Sequence, residues 1–273
     1  MTPNFAVQIK SLVRFSYLGT SGAKRAAATE AQFKAKLFSA ERLEMQFALF
    51  EYFTLPSLRQ QTDKDFAGVI LTSEDLPDAA MDRLLSLTES TENLSVVALA
   101  PLKAGVAMAR AYRKIADRPG ATHVATFRLE DDAAISNTAV AVIRHTAEAI
   151  AKAVPPDQCF AINFGSGYLL NLASAPGEPR LIAAQSAIPQ VNGLTLVAPA
   201  GRPDHVAKFN HRTLGDQVSL FNDQSTPMYL KPIQSEKDPV LTGPGLRAPA
   251  EPVTTERQLK IGFRLSYQEL ENG

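Results

Sequence analysis

The sequence predicts an α/β protein built on a mostly parallel sheet flanked by helices, with a mixed region appended. Three observations carry this prediction. Up to about residue 154, apolar runs of strand type alternate with segments of helical period. After Pro156 the alternation gives way to short apolar runs separated by proline and glycine. Finally, 273 residues with 45% hydrophobic and 21% charged side chains can bury a substantial core, which excludes wholesale disorder.

The elements follow in order. Residues 5–15 (FAVQIKSLVRF) form a β-branched and aromatic first strand. Residues 19–28 are small and polar, a loop holding Lys24 and Arg25. Ser39 is placed to cap a helix from about Ala40, with Glu41 and Glu44 in its first turns. Leu43, Phe47, Phe50 and Phe53 recur at steps of three and four and share one face, and Pro56 interrupts the segment. Residues 66–72 and 94–99 read as buried strands, with a helix over 76–89 between them. A helix over 105–116 precedes a strand over 123–127, which runs into Glu130, Asp131 and Asp132. An Ala-rich helix over 137–154 closes at Pro155 and Pro156. Beyond it, 160–172, 180–184 and 193–197 read as short strands, and 238–253, with four prolines, as an extended connection. The chain reads as one domain with two lobes, about 1–135 and 136–273.

Composition narrows the function classes. Lys+Arg and Asp+Glu both total 28, so bulk charge does not point to nucleic acid. The single cysteine, Cys159, allows no intrachain disulfide, which suits a reducing, cytoplasmic setting. No window reaches the roughly 18 uninterrupted apolar residues of a membrane span, and the first ten residues lack the order of a signal peptide.

Chemistry points to the acidic cluster. Ligands of open α/β sheets bind beyond the carboxyl ends of the strands, where Glu130, Asp131 and Asp132 fall. Along extended chain Glu130 and Asp132 share a side and Asp131 faces the other way. Two carboxylates pointing together repel, and a divalent cation removes that cost; hard oxygen ligands suit Mg²⁺ or Mn²⁺. The alternative is a solvated acidic turn leading into the next helix.

The residues around this cluster resemble a known fold. The stretch from Thr54 to Phe66 with the strand Val69-Ile70-Leu71 looks like the first helix and second strand of GT-A glycosyltransferases. Gly105, Ala109 and Arg110, followed by a strand and Glu130-Asp131-Asp132, look like the later helix and acidic (DxD-like) motif of that Rossmann-like fold. A closer resemblance is to the bacterial family called putative rhamnosyltransferases. It is carried by Arg14-Phe15-Ser16-Tyr17, Leu49-Phe50-Glu51, Leu55 to Leu58 and Arg128 to Asp132. Glu130 stands where that motif has Asp, and the strand end Leu71-Thr72-Ser73 lacks the acid expected to contact a base.

The resemblance implies transfer of a sugar, rhamnose by the family's name, from a nucleotide-sugar donor to a glycan or lipid-linked saccharide. A lipid-linked acceptor would add peripheral membrane association. Mn²⁺ or Mg²⁺ would bridge Glu130, Asp132 and the diphosphate, with His211 as a third ligand. Donor contacts would come from Arg14, Ser73, Lys103, Arg110, Arg128 and Asp131, and Asp216 is a candidate base. The rival readings are a sugar nucleotidyltransferase, for which residues 19–25 (GTSGAKR) are a partial match, and a non-catalytic nucleotide-sugar-binding relative.

Overall fold

The computed structural model describes residues 5–20, 29–235, 241 and 244–272. Residues 21–25 of the partial nucleotidyltransferase match, and residues 238–240 and 242–243 of the proline-rich connection, lie outside this set.

Four parallel strands come from the first half of the chain: β1 (Val7–Arg14), β2 (Ala67–Ser73), β3 (Leu94–Leu99) and β4 (His123–Glu130). Their spatial order is β3-β2-β1-β4. β1 is buried at seven of its eight positions, the signature of a strand covered on both faces. β4 runs three residues further than the sequence suggests, because Leu12, Val13 and Arg14 of β1 continue the ladder opposite Arg128, Leu129 and Glu130.

The same sheet extends past β4 with strands from the second half. β9 (Thr195–Pro199) lies antiparallel between β4 and β6 (Phe160–Phe164), and β10 (Ser219–Asp223) completes seven strands. A second sheet has the order β12-β8-β7-β11-β5, with β5 (Ala134–Ile135), β7 (Ser166–Asn171), β8 (Leu181–Gln185), β11 (Tyr229–Ile233) and β12 (Leu246–Pro249).

Several expectations are corrected here. The single strand expected over 160–172 is two strands in different sheets. The chain changes sheet at Gly165, where a Cβ would come within 2.6 Å of the Ser186 carbonyl oxygen. β10, β11 and the final helices were not foreseen. The expected extended connection holds β12, which pairs with β8.

Helices cover the sheets. α1 (Glu30–Leu37) begins with a capping box at Thr29 and Gln32. α2 (Ala40–Leu49) passes into a wide π-type turn, Phe50–Thr54, and then α3 (Leu55–Arg59). Pro56 therefore does not interrupt the helical segment. It falls in the first turn of α3, where a missing N–H costs least, and the preceding turn closes through the Leu55 N–H to the Phe50 carbonyl. Ser39 precedes α2 without capping it, because its hydroxyl is directed at the Lys36 carbonyl. α4 (Asp78–Glu89), α5 (Ala104–Tyr112), α6 (Ala139–Ala151), α7 (Pro252–Gly262) and α8 (Tyr267–Asn272) complete the set used here.

Three apolar clusters result. The largest joins Phe15, Phe47, Phe50, Phe127 and Ile143 to Leu169, Tyr229 and Ile233 of the second sheet. The second places Met108, Ala111 and Tyr112 of α5 over Leu12 and Leu71. The third packs Leu259, Phe263 and Leu270 onto Tyr168, Leu181 and Leu230. No helix among the described residues is long and apolar enough to cross a membrane.

Candidate functional site

The site forms where β4 leaves the large sheet. Glu130 ends β4, and four residues later the chain enters β5 of the second sheet. Asp131 and Asp132 therefore sit in the step between two sheets. They line, with Glu130, a cleft of about 1080 Å³.

The walls come from distant parts of the chain. α2 supplies Arg42, Met45 and Gln46; the segment between β8 and β9 supplies Gln190 and Asn192; β11 supplies Tyr229 and Lys231. The motifs of the first hundred residues meet under the acids. Phe15 and Phe50 are in edge contact, with centroids 5.3 Å apart. The Thr54 hydroxyl is directed at the Glu130 carbonyl at 3.4 Å. Ser16 adopts φ 45° and aims its N–H at Asp131 Oδ2, 3.2 Å away, while its Oγ accepts from Arg42 Nη1 at 3.0 Å. A non-glycine residue in this left-handed region is uncommon, and here the conformation turns a backbone donor onto a buried carboxylate.

Asp131 and Asp132 lie in a turn after β4 and not in extended chain, yet the expected split is present. Glu130 and Asp132 turn to one cation, and Asp131 turns away to Ser16. That cation is Lys231, whose Nζ lies 2.5 Å from Asp132 Oδ1 and 3.1 Å from Glu130 Oε2. Lys231 and Asp132 side chains are only 15% and 14% exposed, whereas Glu130, at 41%, keeps one side open to the cleft. Asn192 fixes Glu130 from the opposite flank: its Oδ1 accepts the Glu130 N–H at 3.0 Å, and its Nδ2 donates to Oε2 at 3.4 Å.

The electrostatics follow from this arrangement. Dense surroundings would raise Glu130, but the Lys231 ammonium, with help from Arg128 and Asn192, brings it below the usual carboxylate range. Burial raises Asp132, and the Glu130 charge adds to that against Lys231. Burial also pushes Asp131 up to about 7, with the Asp132 charge as second cause and the Ser16 N–H opposing. Burial disfavours the Lys231 ammonium, but the two carboxylates more than compensate and raise it.

The other expected residues divide into two groups. His211 lines the same cleft as the acids, beside Arg212. Burial lowers its pKa, and Arg128 and Arg212 lower it further. Arg14, Ser73, Lys103, Arg110 and Arg128 are not on the cleft wall. Arg14 is exposed at the end of β1, in register with Glu130. Lys103 and Arg110 are exposed at the start and on the surface of α5. Arg128 is turned inward, with Nε buried and unpartnered, and burial lowers its pKa. Ser73 is fully buried, and its Oγ accepts the Asp75 N–H, so it shapes the turn after β2 instead of meeting a donor. Asp216 lines a different concavity, with Cys159 and Arg202, and does not reach the acids' cleft.

The position shared by Glu130 and Asp132 is taken by Lys231, and among the described residues no three His, Cys, Asp or Glu side chains come together in a metal-holding group. Lys231 and Asn192 were not singled out from sequence. The signal for Lys231 is a lone charge inside an apolar run, Met228-Tyr229-Leu230-Lys231-Pro232-Ile233, and it becomes meaningful only once that run is known to be a strand.

Comparison with known proteins places the chain. No curated protein matches the sequence. Among solved structures, the UDP complex of a fragment of Staphylococcus aureus TarS (1–349) is 11% identical, covering 83% of this chain and 61% of its own, with a TM-score of 0.44. The UDP-GlcNAc complex of the same fragment is 11% identical, covering 93% and 65%, with a TM-score of 0.46. A putative glucose-1-phosphate thymidylyltransferase from Bacillus anthracis, bound to sucrose, is 12% identical, covering 82% and 89%, with a TM-score of 0.38. The chain thus spans less than two thirds of the length of either TarS fragment. The family model described as putative rhamnosyl transferase matches residues 8–243, a span that includes the three acids and Lys231, and the chain belongs to this family.

Proposed function

We propose that the chain transfers a sugar from a nucleotide-activated donor to a hydroxyl of a saccharide, free or lipid-linked, with rhamnose as the sugar its family description suggests. The observation that carries this reading is the convergence of Glu130, Asp131 and Asp132, at the carboxyl end of a parallel strand, on a cleft of about 1080 Å³, large enough for a sugar and its acceptor. In the reaction the bond from the anomeric carbon to the diphosphate breaks, and its electron pair goes to the phosphate oxygen. The acceptor oxygen bonds to that carbon, and its proton passes to water in the open cleft. Arg42 and Arg212, which line the cleft, offer positive charge to a diphosphate.

The first test is thermal-shift screening against UDP, GDP, dTDP and CMP, each with and without Mn²⁺. Binding at a hundredfold excess over Kd stabilises by about 2.7 kcal/mol. A shift with one nucleotide, followed by release of that nucleotide from its rhamnosyl donor in the presence of saccharide acceptors, supports the reading. Absence of a shift with all four overturns it.

A further inference from the structure

Two carboxylates that face each other need a cation, and this chain carries one of its own. Lys231 reaches the pair from β11, which is antiparallel to β5 with Tyr229 opposite Ile135 and Leu230 opposite Ala134. One step further along that register, Lys231 stands beside the stretch that leaves the acids. Its Nζ contacts both carboxylates at ion-pair distance, and its stem is buried, so the charge is held by the fold and is not a mobile surface lysine. The neighbouring positions share that rigidity: Tyr229 is 2% exposed, Leu230 0% and Ile233 0%.

A tethered ammonium and a divalent ion would compete for one place. Hard cations bind carboxylate oxygens at about 2.0–2.6 Å, and a Lys Nζ at ion-pair distance from both acids leaves no room for such an ion between them. Displacing it would strand a largely buried ammonium without its two partners, which is costly.

We propose that Lys231 is the built-in counter-charge of the acidic motif, and that sugar transfer in this chain proceeds without a divalent cation bound by Glu130 and Asp132. This rests on the glycosyltransferase reading for its activity arm only. Lys231 acts here through the two carboxylates: it holds them together and places one positive charge at the floor of the cleft. The electrostatic field at a reacting centre is most effective when its charges are fixed beforehand.

Calorimetric titration of Mn²⁺ tests the proposal directly, without reference to turnover. The full chain is titrated as wild type, Lys231→Met, Lys231→Arg, Asp132→Asn and the double variant Lys231→Met/Asp132→Asn. The expected result is no uptake by wild type or Lys231→Arg, one Mn²⁺ per chain in Lys231→Met, and loss of that uptake in the double variant. Uptake of one Mn²⁺ by the wild type, abolished in Asp132→Asn, overturns the proposal, and so does a folded Lys231→Met that takes up none. Folding of each variant is checked by its thermal transition.

The activity arm then sharpens it. With the donor identified by nucleotide screening, wild-type turnover is expected to be unchanged by EDTA. Lys231→Met is expected to lose roughly 10²-fold in kcat, with Mn²⁺ restoring part of it and Lys231→Arg retaining most of it. An EDTA-sensitive wild type overturns the proposal. If no donor turns over, the glycosyltransferase reading fails, while the Mn²⁺ titration still decides the role of Lys231.

Discussion

The two sheets meet at the acidic cluster but are built in different ways. In the large sheet, β1 to β4 come from strand–helix–strand units, and β1 pairs with β2 on one side and, across more than a hundred residues, with β4 on the other. In the second sheet, β5 pairs with β11 nearly a hundred residues later, and β12 closes onto β8. The large sheet offers carboxylates at a strand end; the second answers with the ammonium of Lys231. The lesson is that the site's negative charges are local in sequence while the charge that balances them is remote. Neither sheet makes the site alone.

Their shared core makes the sheets one unit, because Leu169, Tyr229 and Ile233 of the second pack in the same cluster as Phe127 of the first. The largest expected effect tests that unity. Phe127→Ala removes a fully buried ring and is expected to cost about 3–5 kcal/mol. Leu230→Ala, at 0% exposure in the second sheet, is expected to cost about 2–5 kcal/mol. Urea unfolding followed by both circular dichroism and tyrosine fluorescence should give one coincident transition in each variant. Two separated transitions in Leu230→Ala would show that the sheets unfold independently.

A matched pair of glycines sharpens the comparison. At Gly68 of β2 an added Cβ would come 2.3 Å from the Ser11 Oγ and 2.5 Å from a Leu94 methyl, both ends of side chains that can rotate away. At Gly167 of β7 it would lie 2.6 Å from the Tyr229 ring, which is rigid and buried. Gly167→Ala is therefore expected to cost about 2–3 kcal/mol and Gly68→Ala about 1 kcal/mol, read as urea midpoints. The reverse order would place the tighter packing in the large sheet.

The smallest effect is pH-dependent and belongs to the large sheet and its cover. Burial lowers the pKa of His123 in β4, whose Nε2 is buried without a partner. Burial, with Lys208 and Arg113, also lowers His205. Both stay neutral in the folded chain under conditions where the unfolded chain, with histidines near 6.5, binds protons. Fewer protons on the folded state at these two histidines means that their contribution rises with pH, present in full above about 6.5 and lost as pH falls through the lower folded values, while Asp131, raised to about 7 by burial, contributes with the opposite sign. Urea midpoints at pH 5 and 7.5 measure the slope, and His123→Gln should flatten it. An unchanged slope would show that His123 takes up its proton while folded.

Much of the large sheet was legible because its determinants are local. The runs over 66–72 and 94–99 fall within a residue or two of β2 and β3, and the helix between them buries Ala80, Leu84 and Thr88 while Leu85 stays exposed. Where local reading failed, a longer-range fact decided. Pro56 reads as a break by propensity, yet the π-type turn before it lets the helical segment continue and keeps Phe50 and Phe53 buried. The run over 160–172 reads as one strand, because nothing in its apolar character shows that Gly165 passes it from one sheet to the other.

The sequence by itself determined the alternating α/β order and the acidic cluster at the end of β4; the two-and-one split of its carboxylates matches strand alternation, but Asp131 and Asp132 lie in the turn after β4, so the turn sets it. Only the tertiary structure decided what those carboxylates face. Ser16 reaches Asp131 through backbone geometry that no side-chain pattern records, and Lys231 reaches Glu130 and Asp132 across the register of a second sheet. The physical reason is range: periodicity and capping act over a few residues, whereas Lys231 and Asp132 lie 99 positions apart and meet only through the pairing of β11 with β5.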